Sequence, residues 1–208
     1  MTDDTKKEGN KDNRTELLRQ IKEEVIHLKE SPLYKERIQN RVHPVIGEGD
    51  HYAKIMFIGE APGKTEAATG RPFAGQAGKI LDELLASIEI PRKEVYITNV
   101  VKDRPPMNRD PLPEEIALYA RFLDRQIEII QPKVIALLGR HSMRYIMEKF
   151  GLATQLTSIT RMHGKVFEAE ASYGKIKIIP LYHPAAALYN PDLKKELFKD
   201  FKVVKEFV

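Results

Sequence analysis

The chain has 208 residues, with 34 Lys and Arg against 30 Asp and Glu, a net charge of +4, and neither cysteine nor tryptophan. Without cysteine there are no disulfides, thiolate-bound metals, iron–sulfur clusters or cysteine nucleophiles, and no apolar run approaches the roughly 18–20 residues of a membrane span. The mild positive charge permits an anionic partner, and the length suits one domain. Residues 1–14 carry no aliphatic side chain beyond Met1. They are expected to be a disordered tail, too polar for a secretory signal, ahead of a single domain over 15–208. From Asn13, with Glu16 three residues on, Leu17, Leu18, Ile21, Val25 and Leu28 repeat at helical spacing. Residues 31–54 read as irregular, with Pro32, Pro44, Gly47 and Gly49 as breakers.

Beyond this point strand and helix alternate. Ile55–Gly59 (IMFIG) is a short apolar strand, and Gln76–Ile88 an amphipathic helix. Val95–Val101 is a β-branched strand, and Pro113–Gln131 a long helix opened by proline, with Ile116, Tyr119, Leu123, Ile127 and Ile130 on one stripe. A third strand spans Lys133–Gly139, followed by a helix over Arg140–Phe150. A fourth strand spans Lys175–Tyr182, and Asn190-Pro191 opens a last helix carrying Leu193, Leu197, Phe201, Val204 and Val208. Nearly continuous apolar strands alternating with helices point to a parallel sheet covered on both faces, where ligands bind beyond the carboxyl ends of the strands. The unusual loops fall at such ends: GEAPGKTEAATGRPFAG, NVVKDRPPMNRDP and HPAAALYNP.

Gly59-Glu-Ala-Pro-Gly63-Lys64-Thr65 invites comparison with a P-loop, but only three residues separate its glycines and position 58 is Ile. A P-loop needs four residues there, with backbone N–H groups free to wrap phosphates, and Pro62 removes one such donor. Lys64 is therefore read as a solvated lysine.

GEAPGKTEAATGRPFAGQAGK, VYITNVVKDRPPMNRDP, IQPKVIALLG and HPAAALYNP together resemble the family 4 uracil-DNA glycosylases, from about Leu28 to the final helix. The resemblance implies a three-layer α/β/α sandwich around a central four-stranded parallel sheet. It also implies excision of uracil from DNA by hydrolysis of the N-glycosidic bond. Matched motif by motif, Asn99 is the uracil-reading asparagine, Phe73 the aromatic that stacks on the flipped base, and His183 the catalytic histidine.

The chemistry of these residues agrees with those roles. A base must leave the stack to be cut and is then read along its Watson–Crick edge. The Asn99 amide offers one donor group and one acceptor, matching uracil N3–H and O4 and opposing cytosine. Stacking on Phe73, expected to lie exposed between Pro72 and glycines, is worth about 1–3 kcal/mol per base. A hydrogen bond from His183 to uracil O2 would stabilise the leaving anion. Ala61 occupies a place where some other uracil glycosylases hold a water-orienting Asp. Glu60 is then the candidate for positioning water or stabilising the cationic sugar, with Glu66 second. Ala186, Ala187, Leu188 and Tyr189 follow the histidine in the loop that enters the minor groove in relatives. Lys102, Arg104 and Arg109, with Lys64 and Arg71, are candidates for phosphate contacts.

One departure stands out. Family members typically hold a four-iron cluster with four cysteines, whose places here read Leu28, Ser31, Asp103 and Tyr119. A cysteine-bound cluster is impossible, so no cofactor and no metal are expected. Leu28 and Tyr119 are expected to pack in the vacated volume, with Ser31 and Asp103 close by. Expected partners are uracil-containing DNA and no membrane, for a monomer acting in the cytoplasm, at the nucleoid. A reader that binds uracil-DNA without cutting would need a damaged catalytic set, whereas Glu60, Asn99 and His183 are all present.

Overall fold

The computed structural model describes residues 12–207. The tail expected over residues 1–14 lies, up to residue 11, outside the described residues. Arg14 already opens helix α1 (Arg14–Ile26), donating to the Ile130 carbonyl at 3.1 Å. Leu18, Ile21 and Val25 form the buried face of α1.

The next segment corrects the sequence reading. Pro32 does not break structure but opens helix α2 (Pro32–Gln39), where Ser31 caps the first turn by accepting the Leu33 N–H at 3.1 Å. Proline has no N–H to lose at the first helical position and its φ is already helical there.

A two-residue strand β1 (Glu48–Gly49) precedes β2 (Ile55–Gly59), a short helix α3 (Lys64–Thr69) and helix α4 (Gln76–Ser87). Then come β3 (Tyr96–Asn99), α5 (Pro113–Ile130), β4 (Val134–Leu138), α6 (Arg140–Lys149) and the single turn α7 (Ile159–Met162). The chain closes with β5 (Phe167–Ala171), β6 (Gly174–Leu181) and α8 (Pro191–Lys205). Asn190 caps α8 through the N–H groups of Asp192 and Leu193.

The sheet has six strands in the order β1-β3-β2-β4-β6-β5. Its central four are mutually parallel, as expected, while β1 and β5 pair antiparallel on the two edges. The edge strands escaped the sequence reading for different reasons. β1 is too short for any periodicity, and β5 alternates half-buried and exposed residues along FEAEA, the pattern of a strand with one covered face.

Alternation along the central strands separates two cores. Met56, Ile58, Ile135 and Leu137 face a layer built from α1, α5 and α6. Ile55, Phe57, Val134, Ala136 and Leu138 face α4 and α8. Both faces are buried, which explains uninterrupted apolar strands such as VIALL. Among the described residues no helix is long and apolar enough to cross a membrane.

Candidate active site

Parallel strands deliver their carboxyl ends to one edge of the sheet. There β2 hands over to Glu60, β3 ends at Asn99, β4 is followed by Gly139 and β6 by His183. Asn99 is 2% exposed, yet among the described residues nothing hydrogen-bonds its side-chain amide. Its Oδ1 and the tip of the Phe73 ring converge above Gly59. A Cβ at position 59 would lie 2.3 Å from Asn99 Oδ1 and 2.9 Å from Phe73 Cζ. Glycine there keeps the floor of the pocket flat.

The Phe73 ring is not exposed, contrary to expectation. It is 7% exposed and stacks on the His183 ring, with centroids 5.5 Å apart and planes 29° from parallel. Its backbone sits at φ +47°, a conformation that costs energy for a bulky residue. Two neighbours hold it. Glu66 accepts the N–H groups of Ala74 and Gly75 at 2.9 and 2.8 Å. Gly78 passes so close that a Cβ would meet the Phe73 carbonyl at 1.8 Å. Glu66 is thus committed to shaping the loop, not to water.

His183 accepts the Ala185 N–H on Nδ1 at 3.1 Å. In the neutral ring the proton therefore sits on Nε2. Burial pushes its pKa down to about 4, against a smaller opposing pull from Glu66. The ring is a neutral donor at physiological pH.

Glu60 is half-buried, and burial raises its carboxyl pKa while the facing His141 opposes the rise. His141 Nε2 lies 3.6 Å from Glu60 Oε2. Ala61 is half-buried against the core on the α5 side, a small residue that leaves room beside Glu60.

The DNA-facing candidates divide. Lys102 is not available to phosphates: it is 0% exposed, and its ammonium donates to Thr98 Oγ1, the Asn99 backbone carbonyl and Gln126 Oε1 at 2.8, 2.6 and 2.6 Å. Burial lowers its pKa well below the ordinary lysine value, while three acceptors match its three N–H bonds. Ala187 is likewise withdrawn, 7% exposed and packed with residues of α4 and α8, with Leu188 half-buried against the same core. Tyr189, in contrast, is 89% exposed. Arg104 is half-buried and bonds Asn108 Oδ1 at 2.7 Å. Arg109 forms a two-pronged pair with Glu115, and Arg71 with Glu48. Lys64 is exposed at the start of α3.

Sequence reasoning missed Asp110, Arg140 and His141, which gather beside Glu60. Asp110 comes from the loop after β3 and Arg140-His141 from the first turn of α6, so no local spacing joins them to Glu60. Met107 was also missed. It is 91% exposed, and the left-handed backbone at Met107 and Asn108 projects it from the loop after β3.

The four positions at which the resemblance implies cluster ligands do converge. Leu28, Ser31, Asp103 and Tyr119 are 3%, 2%, 1% and 0% exposed. They do not fit a cluster, having no thiolate and already satisfying one another. Ser31 Oγ and Tyr119 Oη are 2.8 Å apart, and Tyr119 donates to Asp103 Oδ2 at 2.6 Å. Leu28 and Tyr119 belong to one core cluster, yet the filling is more polar than expected. Arg37 completes it, reaching both Asp103 oxygens at 3.1 Å and the Val25 carbonyl at 3.1 Å. Burial and the Asp103 charge push the Tyr119 hydroxyl pKa up, so it stays a donor.

Residues 46–203 match the family described as the uracil DNA glycosylase superfamily. The chain is 50% identical over 190 residues to the type-4 uracil-DNA glycosylase of Sulfurisphaera tokodaii, covering 91% of this chain and 84% of that protein. It is 46% identical over 191 residues to the type-4 enzyme of Archaeoglobus fulgidus, covering 92% and 93%. A type-5 uracil-DNA glycosylase of Thermus thermophilus is 35% identical over 124 residues, covering 52% of this chain and 56% of that protein.

Proposed function

This chain belongs to the uracil DNA glycosylase superfamily, and we propose that it removes uracil from DNA by hydrolysing the N-glycosidic bond, leaving an abasic site. One observation carries the reading: the unpartnered amide of Asn99 and the Phe73 ring meet over the bare backbone of Gly59, beside a neutral His183.

Uracil flipped into this pocket lies against Phe73. The Asn99 carbonyl accepts from N3–H and its NH₂ donates to O4, whereas cytosine would face donor with donor and acceptor with acceptor. As the glycosidic bond breaks, negative charge spreads over the uracil ring and positive charge over the sugar. His183 Nε2–H donates to O2 without surrendering its proton, the part a preorganised neutral donor can play. Glu60 faces the sugar side, where a carboxylate stabilises the cation and orients water. Tyr189 is the wedge that fills the vacated stack, Leu188 supports it, and Arg104 contacts the backbone. The protein acts as a monomer inside the cell, on the DNA of the nucleoid.

A labelled uracil-containing oligonucleotide, followed by alkali, tests this. Strand breaks are expected at uracil and not at cytosine. An intact, gel-retarded duplex would mean binding without cutting and would overturn the hydrolytic reading.

A further inference from the structure

His141 lies in the first turn of α6, and its Nε2 faces the Glu60 carboxylate. The side chain is 20% exposed, against 29% for Glu60. Three groups compete for its Nε2. Arg140 Nε donates to it at 3.0 Å, Asp110 Oδ2 lies at 3.3 Å and Glu60 Oε2 at 3.6 Å. These contacts are mutually exclusive in proton terms. The neutral ring can accept from Arg140, while the imidazolium has no lone pair there and can only donate to a carboxylate. Arg140 also pairs with Asp110, so Asp110 has a cation of its own. Among the described residues Glu60 has no such partner apart from His141. Arg144, Tyr145 and Glu148 of α6 line the cavity on the other side of the ring, of about 520 Å³, with Pro111 and Ile116.

We propose that His141 is a positioning residue for Glu60, its imidazolium holding the carboxylate ionised and aimed at the sugar. This rests on Glu60 being the carboxylate that meets the sugar or its water. A half-buried carboxylate drifts toward its neutral acid, which neither stabilises a cation nor orients water as a base. Charged groups facing Glu60 are His141, Asp110 and Arg140. Asp110 favours the neutral acid, and Arg140 is already paired, so His141 is the principal opposing influence. Charged, the ring can turn Nε2–H only toward a carboxylate, and Glu60 Oε2 stands 3.6 Å from it.

The test is the pH dependence of single-turnover uracil excision on saturating enzyme. In His141→Leu the acid limb is expected to move up by about one pH unit, the lower end of what an opposite charge at this distance does. Excision on that limb slows about tenfold, with little change on the plateau. His141→Lys, carrying a fixed charge, should return the limb toward its original place. Melting temperatures of both variants check that the fold is intact, and a loss of packing alone would slow all pH values equally. An unmoved limb in His141→Leu overturns the proposal, as does a limb that moves but is not restored by lysine. Glu60→Gln separates the underlying reading. It should be slow and lack the acid limb, and if it cuts at the wild-type rate the role of Glu60 falls and this proposal with it.

Discussion

In the proposed reading Asn99 serves recognition and His183 the chemistry, and each yields a separate expectation. Asn99 is buried with its side-chain amide free, while its backbone carbonyl is anchored by Lys102 at 2.6 Å. Removing the amide in Asn99→Ala leaves the stacking wall but not the reader. Uracil excision should fall by about 10⁴, the scale by which a site built to hydrogen-bond its substrate rejects a mismatch. A wild-type rate in a single-turnover assay would remove Asn99 from the site. His183 acts later along the reaction. His183→Ala should slow the chemical step by about 10²–10³, the cost of one lost oxyanion-type donor, with DNA affinity nearly unchanged in a filter-binding titration. Weak binding with normal cutting once bound would reverse the assignment.

The elements are tied together where relatives are implied to use a cluster. Arg37 of α2 reaches the Val25 carbonyl of α1 and both oxygens of Asp103 after β3. Tyr119 of α5 bridges Asp103 to Ser31, the cap of α2. Four segments thus meet in one buried network whose charges compensate. Taking away one partner costs more than the pair contributes, because a buried charge is left alone. Arg37→Met should destabilise by about 3–5 kcal/mol. Tyr119→Phe, which removes the hydroxyl that accepts from Ser31 and donates to Asp103, should cost about 1–3 kcal/mol. Urea unfolding measures both, and a Tyr119→Phe loss as large as that of Arg37→Met would mean that the hydroxyl, not the ion pair, holds the junction. Helix α2 itself was hidden by its first residue. Pro32 reads as a breaker along the chain and acts as a helix start only because Ser31 turns its side chain onto Leu33 N–H.

At the scale of the whole molecule, two cores and this network hold the described residues together. Purified protein should be colourless and hold no stoichiometric iron by metal analysis. It should excise uracil unchanged after dialysis against a chelator, because no thiolate exists to ligate iron. Activity lost to the chelator and restored by iron would contradict this. Acid should weaken the fold through His183. Its native pKa of about 4 lies below the ordinary 6.5, so between those values the unfolded chain binds the proton more readily. Stability present above pH 6.5 is lost as the pH falls toward 4, by at most about 3 kcal/mol from this group. Thermal unfolding of His183→Ala should fall less steeply across that window than that of the parent, and equal slopes would show that the ring is not the group responsible.

What the sequence determined by itself is what short-range physics encodes. Apolar runs such as IMFIG and VIALL, the helical stripe through Tyr119 and Leu123, and the Asn190 cap depend on residues a few positions apart. The four central strands and helices α1, α4, α5, α6 and α8 were therefore legible with their boundaries nearly right, whereas α2, β1 and β5 were not. The strand-end positions of Glu60, Asn99 and His183 followed from them. Only the tertiary structure decided where side chains point and whom they meet. A lysine beside a loop reads as a surface cation, yet Lys102 turns under the strand end because Thr98, Asn99 and Gln126 supply three acceptors there. Phe73 reads as an open platform and instead packs on His183, 110 positions away in number but adjacent in space. The Arg37–Asp103 pair spans 66 residues, and His141 meets Glu60 across two strands of the sheet. Pairings of that range carry no periodic signature, because packing and desolvation, not spacing, select them.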